Sequence, residues 1–308
     1  MASVVALVVA IVAISSSAPL IAFAAAPSLA IAFWRNAAAV GVLAPVALVR
    51  RPDEVRHLFG RRAGLVSVTS GLFLAVHFGA WVPSTKLTSV AMSVALVSTT
   101  PIWTALVSAV RGVRVPASTW AGIGLAVAGV ALATGADPDL SPRALLGDGL
   151  ALLGGLAAAG YTLLGSRARA TIATTTYTSV CYSVCAVVLL AASLVTGADL
   201  VGFDGQTWVA IAAMTIGPQL LGHTLINYAL RRIGSTTVAV LLLLEVPGAL
   251  VIAWLLLGQL PEARTLPGIA VLLAGVAIVV LGARRQPGQP GQPTNGGTAI
   301  SPEAIGTT

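Results

Sequence analysis

The stretch GLFLAVHFGAWVPSTKL at residues 71–87 returns 146 positions later as GPQLLGHTLINYALRRI at residues 217–233. The correspondence continues without a gap for 65 aligned positions, of which 16 are identical. Chance would give roughly 6 identities in a chain that uses so few residue types. The identities include His77 with His223, although the chain has only three histidines. This internal repeat indicates that the protein is built from two related halves.

The composition indicates a membrane protein. Of the 308 residues, 57% are hydrophobic and only 9% are charged, and the mean hydropathy is +0.94. Soluble domains carry about 25% charged residues. Because so few charges cannot cover a water-exposed surface, the lipid bilayer is expected to surround most of the chain.

The net charge of +7 does not indicate nucleic-acid binding, because the basic residues lie in short loops between apolar runs, where they report membrane topology. Cys181 and Cys185 lie four residues apart within an apolar run. This spacing places them on one helical face as small apolar side chains, and too few ligands lie nearby for a metal site.

Ten apolar runs are long enough to be membrane-spanning helices, which need about 20 residues. The first is interpreted as a helix rather than a signal peptide, because no basic residue precedes Arg35. The final segment, 283–308, is rich in Pro, Gly, Gln and Thr and is predicted to be a disordered tail. The ten runs are approximately 3–23, 28–49, 63–83, 87–109, 118–135, 147–165, 171–195, 207–229, 235–257 and 266–282.

The loops between these runs alternate in charge. One set holds 13 basic residues, and the opposite set holds three together with most of the acidic residues. The positive-inside rule places the first set, and with it both termini, in the cytoplasm, which requires an even number of spans. The basic set consists of Arg50, Arg51, Arg56, Arg61, Arg62, Arg111, Arg114, Arg167, Arg169, Arg231, Arg232, Arg284 and Arg285.

The predicted fold is all-α and polytopic, with ten transmembrane helices in two five-helix repeats over residues 1–136 and 147–282. An odd number of spans per repeat makes the second repeat enter the membrane from the opposite side. Such inverted repeats place a solute site between the halves near the membrane midplane, as in secondary transporters.

Three stretches resemble the EamA-type transporters of the drug/metabolite transporter superfamily, and the resemblance covers about residues 3–282. They are AP at 18–19 followed by AIAFWRN at 30–36, NYALRRIG at 227–234, and LEVPGAL at 244–250 running to LGQ at 257–259. The resemblance implies ten helices and secondary transport of small metabolites, often as export. The chain departs from the family at Gln259, where the family often has a glutamate.

Glu245 is the sharpest candidate for a functional residue. It lies about 10 residues into its apolar run, near the expected midplane, where a carboxylate costs on the order of 3 kcal/mol. The functional interpretation is a proton-coupling site or a ligand for a substrate amine. The alternative is a protonated glutamate bonded to a neighbouring helix. Its counterpart in the first half is Thr99.

Arg35 is the only basic residue well inside a predicted span. Three interpretations remain open: its side chain reaches the outer membrane surface, it forms a salt bridge with Glu245, or it binds a substrate carboxylate.

A polar stripe runs along the eighth span. Gln219, His223 and Asn227 follow one another at four-residue spacing and therefore share a helical face. The mirrored residues form an aromatic stripe: Phe73, His77 and Trp81. If both stripes face the interior, the cavity suits a small amphipathic solute such as an amino acid, a nucleobase or an aromatic metabolite. The alternative is interhelical hydrogen bonding, worth about 0.6 kcal/mol per pair. Weaker cavity candidates are Thr99, Thr100, Trp103 and Tyr161.

The leading hypothesis is a secondary transporter of a small organic solute in the inner or plasma membrane, acting as a proton-coupled exporter with Glu245 as the coupling residue. The sequence contains no nucleotide-binding loop, and no cofactor or metal is expected. Glycines of the fifth and tenth spans predict close helix packing, with a second copy of the chain as a candidate partner. The alternatives are an intramembrane enzyme that uses His77, His223 and Glu245, and a non-transporting receptor or scaffold.

Overall fold

The computed structural model describes residues 2–58, 60, 62–88, 90–134, 141–230, 233–257, 263 and 265–284, and all regular secondary structure in these residues is helical. The predicted tail lies outside this part of the chain apart from residues 283 and 284. The helices are α1 (Ala2–Ser15), α2 (Ser17–Phe23), α3 (Ser28–Arg50), α4 (Pro52–His57), α5 (Arg62–Leu87), α6 (Val90–Val97), α7 (Thr100–Val110), α8 (Ala117–Thr134), α9 (Pro142–Ala168), α10 (Thr174–Thr196), α11 (Gly205–Met214), a π-helix (Thr215–His223), α12 (Thr224–Ala229), α13 (Ser235–Leu242), α14 (Glu245–Leu257) and α15 (Thr265–Arg284).

Eight helical segments of the described chain are long and apolar enough to cross a membrane. Two shorter apolar helices, Ala117–Leu132 and Leu266–Gly282, accompany them. Many large apolar side chains point outward, including Val49, Val110 and Val195, which are each at least 80% exposed. An apolar exterior of this kind suits lipid and not water.

Three apolar segments are interrupted by short breaks. The helix stops after Ser15, after Val97 and after Leu242, and a new helix begins within three residues. In each case a proline follows within the first turn of the new helix, at Pro19, Pro101 and Pro247. Proline lacks an N–H and its ring collides with the carbonyl four residues earlier, so the preceding turn ends there. The runs predicted as the first, fourth and ninth spans therefore each contain two helices separated by a short break.

The helices pack in a regular set of pairs. α3 lies along α10, and α8 lies along α15. α5 packs extensively on α9, as α1 packs on the π-helix and α12. α5 also contacts α10, as α3 contacts the π-helix. These contacts bring helices from both ends of the sequence around one interior.

Glycines permit the closest of these approaches. A Cβ on Gly122 of α8 would lie 2.6 Å from Val279 Cγ2 and 2.9 Å from the Gly275 carbonyl oxygen on α15. On α9, a Cβ on Gly154 would lie 3.0 Å from the Trp81 Cβ. The backbones of α8 and α15, and of α5 and α9, can therefore approach closely, as in small-residue packing of membrane helices.

The loop after α3 connects to the second half of the chain. Glu54, in the short helix α4, accepts a hydrogen bond of 2.6 Å from the backbone N–H of Ala173, which immediately precedes α10. This carboxylate satisfies one of the free N–H groups at the start of α10, where a negative charge is favourable.

Candidate functional site

A cavity of about 100 Å3 lies where the three helix breaks meet. Residues at all three breaks line it, and its lining includes six of the residues predicted from sequence. The lining residues are Ile14, Ser17, His77, Trp81, Val97, Ser98, Thr100, Ala158, Tyr161, Thr162, His223, Ile226, Ala239, Leu242, Leu243 and Glu245. The volume accommodates several waters or part of a small solute.

His77 is held in place by the backbone of α9. Its Nδ1 lies 2.9 Å from the Gly154 carbonyl oxygen; because a carbonyl only accepts, Nδ1 carries the proton of this bond. In the neutral ring, Nε2 is then a hydrogen-bond acceptor. The His77 ring stacks on Trp81 with centroids 5.7 Å apart and an interplanar angle of 13°. The first half thus gives the cavity a flat pair of rings.

His223 lies at the end of the π-helix. Its ring meets Phe78 edge-on at 5.4 Å and Tyr161 at 6.1 Å. Its Nδ1 is buried and has no hydrogen-bond partner among the described residues. The predicted spacing of the polar stripe assumed an α-helix, whereas Thr215–His223 winds with the wider π turn. π-helical segments occur frequently at functional sites.

The mirrored aromatic stripe is incomplete in space. Phe73 is partly exposed on the outside of the bundle, at 37% of its surface, and a Cβ on Gly160 would meet its ring. Phe73 therefore packs against α9, and His77 and Trp81 alone represent this stripe at the cavity.

Arg35 is completely buried and does not reach the outer surface. Its Nε donates to Gln219 Oε1 at 3.0 Å, and its Nη1 donates to Ser17 Oγ at 3.1 Å. The guanidinium carbon lies 4.5 Å from the centre of the Phe78 ring. Arg35 therefore bonds to these neutral partners and not to Glu245, with which one interpretation of the sequence predicted a salt bridge. Because Ser17 lines the cavity, Arg35 lies directly behind the cavity wall.

Gln219 is bound on both sides of its amide. In addition to accepting from Arg35, it donates from Nε2 to Asn36 Oδ1 at 2.9 Å. Asn36 in turn donates to the Ala32 carbonyl oxygen at 2.9 Å. Gln219 thus ties the π-helix to α3 and orients the Arg35 side chain.

Asn227 lies at the other end of the polar stripe. Its amide donates to the Tyr161 hydroxyl, and its Oδ1 accepts a hydrogen bond of 2.6 Å from Arg169 Nη1. Tyr161 lines the cavity, so Asn227 and Arg169 lie behind it in succession.

Arg169 is the functional candidate that the sequence analysis missed. It was assigned to a cytoplasmic loop with Arg167, but its side chain is completely buried. The guanidinium carbon lies 4.9 Å from the centre of the Tyr177 ring, and Gly165, one turn earlier, leaves room for the side chain. A usable signal was present in the sequence, because Tyr161, Gly165 and Arg169 follow at four-residue spacing on one helical face.

Glu245 is the first residue of α14 and is half-buried at the cavity. The break at Leu243 and Leu244 precedes it, so this carboxyl lies beside an interrupted helix. Its titratable neighbours in the cavity wall are His77, His223 and Tyr161.

The equivalent break in the first half is arranged differently. Thr99 Oγ1 donates to the Leu96 carbonyl oxygen at 2.7 Å and accepts from Trp103 Nε1 at 3.1 Å. Thr100, the next residue, lines the cavity, and its hydroxyl lies 2.8 Å from the Val97 carbonyl oxygen. Thr99 and Trp103 thus bond to each other, and Thr100 faces the interior.

In the part of the chain that the structure describes, no group of three or more His, Cys, Asp or Glu residues could hold a metal ion. Cys181 and Cys185 are buried free thiols on α10. Gln259 lies outside the described residues.

The sequence matches the model of the EamA-like transporter family over residues 1–135 and again over residues 145–281. The chain therefore belongs to the EamA-like transporter family and is a multi-pass membrane protein, as the resemblance in the sequence indicated.

Individual proteins also resemble the chain, among them the following two. An uncharacterized transporter from Archaeoglobus fulgidus is 29% identical over 194 residues, which cover 62% of this chain and 67% of the relative. A protein known from a crystal structure superposes with a TM-score of 0.76 at 20% identity, covering 92% of this chain and 98% of that one. The second likeness supports the fold alone.

Proposed function

We propose that the protein is a secondary transporter that exports a small organic solute across the inner or plasma membrane. The observation that carries this proposal is the cavity, which both halves of the chain line with corresponding residues. These are the repeated histidines, His77 and His223, and the residues at the helix breaks before Pro101 and Pro247. Interrupted helices in corresponding positions are typical of the solute sites of transporters.

The proposed architecture has ten spans in two inverted repeats, 1–136 and 147–282. The eight long apolar segments and the two shorter helices account for ten crossings. The packing also supports the inversion. If the first half contributes spans one to five and the second half spans six to ten, the contact of α5 with α9 has its mirror image in α1 with the π-helix and α12. α3 with α10, and α8 with α15, are pairs of mirrored spans.

Without the buried Arg169, 12 of the 13 basic residues assigned to one set of loops remain, and we place those loops and both termini in the cytoplasm. Rocking of one repeat against the other then exposes the cavity to each side in turn. No cofactor or catalytic step enters this proposal.

Within the cavity, His77 and Trp81 hold a flat part of the solute, and Tyr161 and His223 provide polar contacts. Arg35, Gln219 and Asn227 support this wall from behind. Thr99 and Trp103 shape the break in the first half. Glu245 is the proton-coupling group, because it is the only carboxyl among the described residues that line the cavity and its protonation removes a charge that lipid-buried segments disfavour.

Accumulation of solute in proteoliposomes under an imposed pH gradient tests the proposal. We expect the gradient to drive accumulation by the unaltered protein and Glu245→Gln to exchange solute without responding to the gradient. Asp53→Asn is the matched control, since Asp53 is an exposed carboxylate in α4. Gradient-driven accumulation by Glu245→Gln at the unaltered rate would rule out this residue as the coupling group. Absence of solute movement by the unaltered protein would rule out transport.

A further inference from the structure

Two arginines are buried without a negative partner. Arg35 and Arg169 are both completely buried, and a guanidinium keeps its charge in proteins. Their hydrogen-bond partners in the described chain are neutral: Gln219 and Ser17 for Arg35, and Asn227 for Arg169. Buried charges are normally paired, because removing them from water is costly. The described residues therefore give neither positive charge an ion-pair partner, although each guanidinium lies over an aromatic ring.

Both guanidinium groups also have free donors. Arg35 Nη2, Arg169 Nε and Arg169 Nη2 are buried and have no hydrogen-bond partner among the described residues. In Arg169 the two free nitrogens form one edge of the planar group, the edge that binds both oxygens of a carboxylate side by side. The geometry of the free donors thus matches a planar anion better than a single neutral acceptor.

The two arginines are spaced along the path of a solute. Arg35 binds Gln219, at one end of the polar stripe, and Arg169 binds Asn227, at the other. These two residues are eight positions apart, on the order of 10 Å at about 1.5 Å per residue. His223, whose Nδ1 is also unpartnered, lies between them at the cavity.

Each arginine is one or two hydrogen bonds from the cavity itself. Ser17, which binds Arg35, lines the cavity, and so does Tyr161, which binds Asn227. A solute carboxylate could therefore replace Ser17 at Arg35 or reach the free edge of Arg169. In either position the rest of the solute would still lie in the cavity, between the rings of the first half (His77 and Trp81) and the rings of Tyr161 and His223.

We propose that the transported solute carries a carboxylate on a flat, largely apolar body, and that Arg169 and Arg35 bind this carboxylate in succession. In the proposed topology Arg169 lies toward the cytoplasm and receives the solute first, and Arg35 receives it on the outer side. This inference rests on the proposed transport function and names its substrate class. A simple organic acid and a zwitterionic amino acid both present the required carboxylate.

Three ligands that share an indole ring distinguish a simple organic acid from a zwitterionic amino acid as the solute. Indole-3-propionate has the carboxylate alone, tryptophan has a carboxylate and an amine, and tryptamine has the amine alone. The melting temperature of the purified full-length protein is measured with each ligand, because ligands of the native state raise it. We expect indole-3-propionate to raise it at millimolar concentration and tryptamine not to. A tryptophan shift equal to that of indole-3-propionate identifies zwitterions as accepted sources, and a smaller one favours simple acids. An equal or larger shift with tryptamine, or no shift with either carboxylate, overturns the inference.

Variants distinguish ligand binding from a structural role of the arginines. If Arg169 and Arg35 serve the solute, Arg169→Gln and Arg35→Gln keep or raise the melting temperature of the unliganded protein and abolish the shift with indole-3-propionate. Arg169→Lys, which keeps the charge but not the planar fork, retains only part of the shift. Arg167→Gln is the control, since Arg167 is exposed and two residues away. A large fall in unliganded stability, together with an unchanged ligand shift in the Arg169 variants that remain folded, assigns the arginines to structure and refutes the proposal.

Proteoliposomes separate failure of this inference from failure of transport. Movement of tryptamine but neither carboxylate would leave the protein a transporter and refute the carboxylate assignment. Movement of indole-3-propionate that is lost in Arg169→Gln supports both.

Discussion

At equivalent positions of the sequence repeat, the first half presents His77 followed by Trp81, and the second presents His223 followed by Asn227. The first histidine is fixed by the Gly154 carbonyl and stacked on its tryptophan. The second has an unpartnered Nδ1 and stands edge-on to two aromatic rings. Related backbones thus deliver a stacked pair of rings from one half and a histidine followed by a hydrogen-bonded amide from the other.

The same asymmetry holds at the helix breaks. Pro101 and Pro247 end the preceding helices at corresponding places, yet Thr99 bonds within its own segment while Glu245 faces the cavity. The repeat therefore conserves where the backbone is interrupted and changes what the interruption offers to a solute. The two halves need each other because neither supplies all of the cavity chemistry.

Moving the carboxylate from position 245 to the equivalent position 99 of the first half is the strongest test of this asymmetry. We expect Glu245→Thr to lower gradient-driven transport by about 100-fold, which corresponds to roughly 2.7 kcal/mol. Adding Thr99→Glu should not restore it, because the Thr99 side chain bonds to Leu96 and Trp103. Transport assays of the single and double variants in proteoliposomes measure both effects. Recovery in the double variant would mean that the two breaks are interchangeable.

Where the halves are most alike, the effect should be on stability. Gly122→Leu places side-chain atoms against Val279 and the Gly275 backbone and is expected to cost about 3 kcal/mol of unfolding free energy, the upper end for overpacking. Gly124→Leu, two residues away where nothing lies within 4 Å of a Cβ, is the control. Unfolding in mixed detergent measures the difference. Equal stability of the two variants would contradict the close contact of α8 with α15.

Substitution of His77 and of His223 should change the stability of the protein by different amounts, while both substitutions weaken solute binding. Both variants lose ring contacts of roughly 0.5–1.5 kcal/mol each, with Trp81 and Phe78 for His77 and with Phe78 and Tyr161 for His223. His77→Ala also loses a membrane hydrogen bond of about 0.6 kcal/mol, so it should destabilise the protein more than His223→Ala. Both variants should weaken solute binding. His57→Ala is the control for an exposed histidine outside the cavity. Parallel thermal melts and ligand titrations measure the two properties. Greater destabilisation by His223→Ala would reverse the assigned roles.

The smallest effect is expected at the surface, at Asp204 immediately before α11 in the second half. The Asp204 carboxylate accepts the Thr207 N–H at 2.6 Å, and this bond lowers the pKa of Asp204 below its ordinary value. Because the folded pKa is lowered, the stabilisation is present above the unfolded pKa and is lost as the pH falls through the folded value. Asp204→Asn should reduce this acid dependence slightly, as measured by thermal melts from neutral to acidic pH. Asp199→Asn, an exposed neighbour, is the control, and an equal change there would contradict the assignment.

The sequence predicted the helical segments and the shared location of His77 and His223 because hydropathy and a gapless repeat report them directly. It did not predict the breaks before Pro101 and Pro247, since Pro45 and Pro83 lie inside unbroken helices. Around Thr99, hydroxyl groups bond back to carbonyls of the preceding turn and compete with helix continuation. Whether a proline interrupts a helix thus depends on its neighbours.

The candidate site was only partly predictable for a different reason. Arg169 follows the end of an apolar run, and hydropathy assigns such a residue to a loop, because it does not show a side chain folding back into the bundle. The same limit applies to Arg35, whose neutral partners Gln219 and Ser17 come from distant parts of the sequence. Long-range pairing of this kind appears only once the helices are packed.

The glycine contact between α8 and α15 has a mechanical consequence. Where the two backbones touch, few flexible side chains lie between the helices, so this pair is poorly suited to sliding or separating. Side chains around the cavity, in contrast, can change rotamer as the surrounding helices tilt. We therefore expect α8 and α15 to stay together as a rigid pair while the other helices change their tilt.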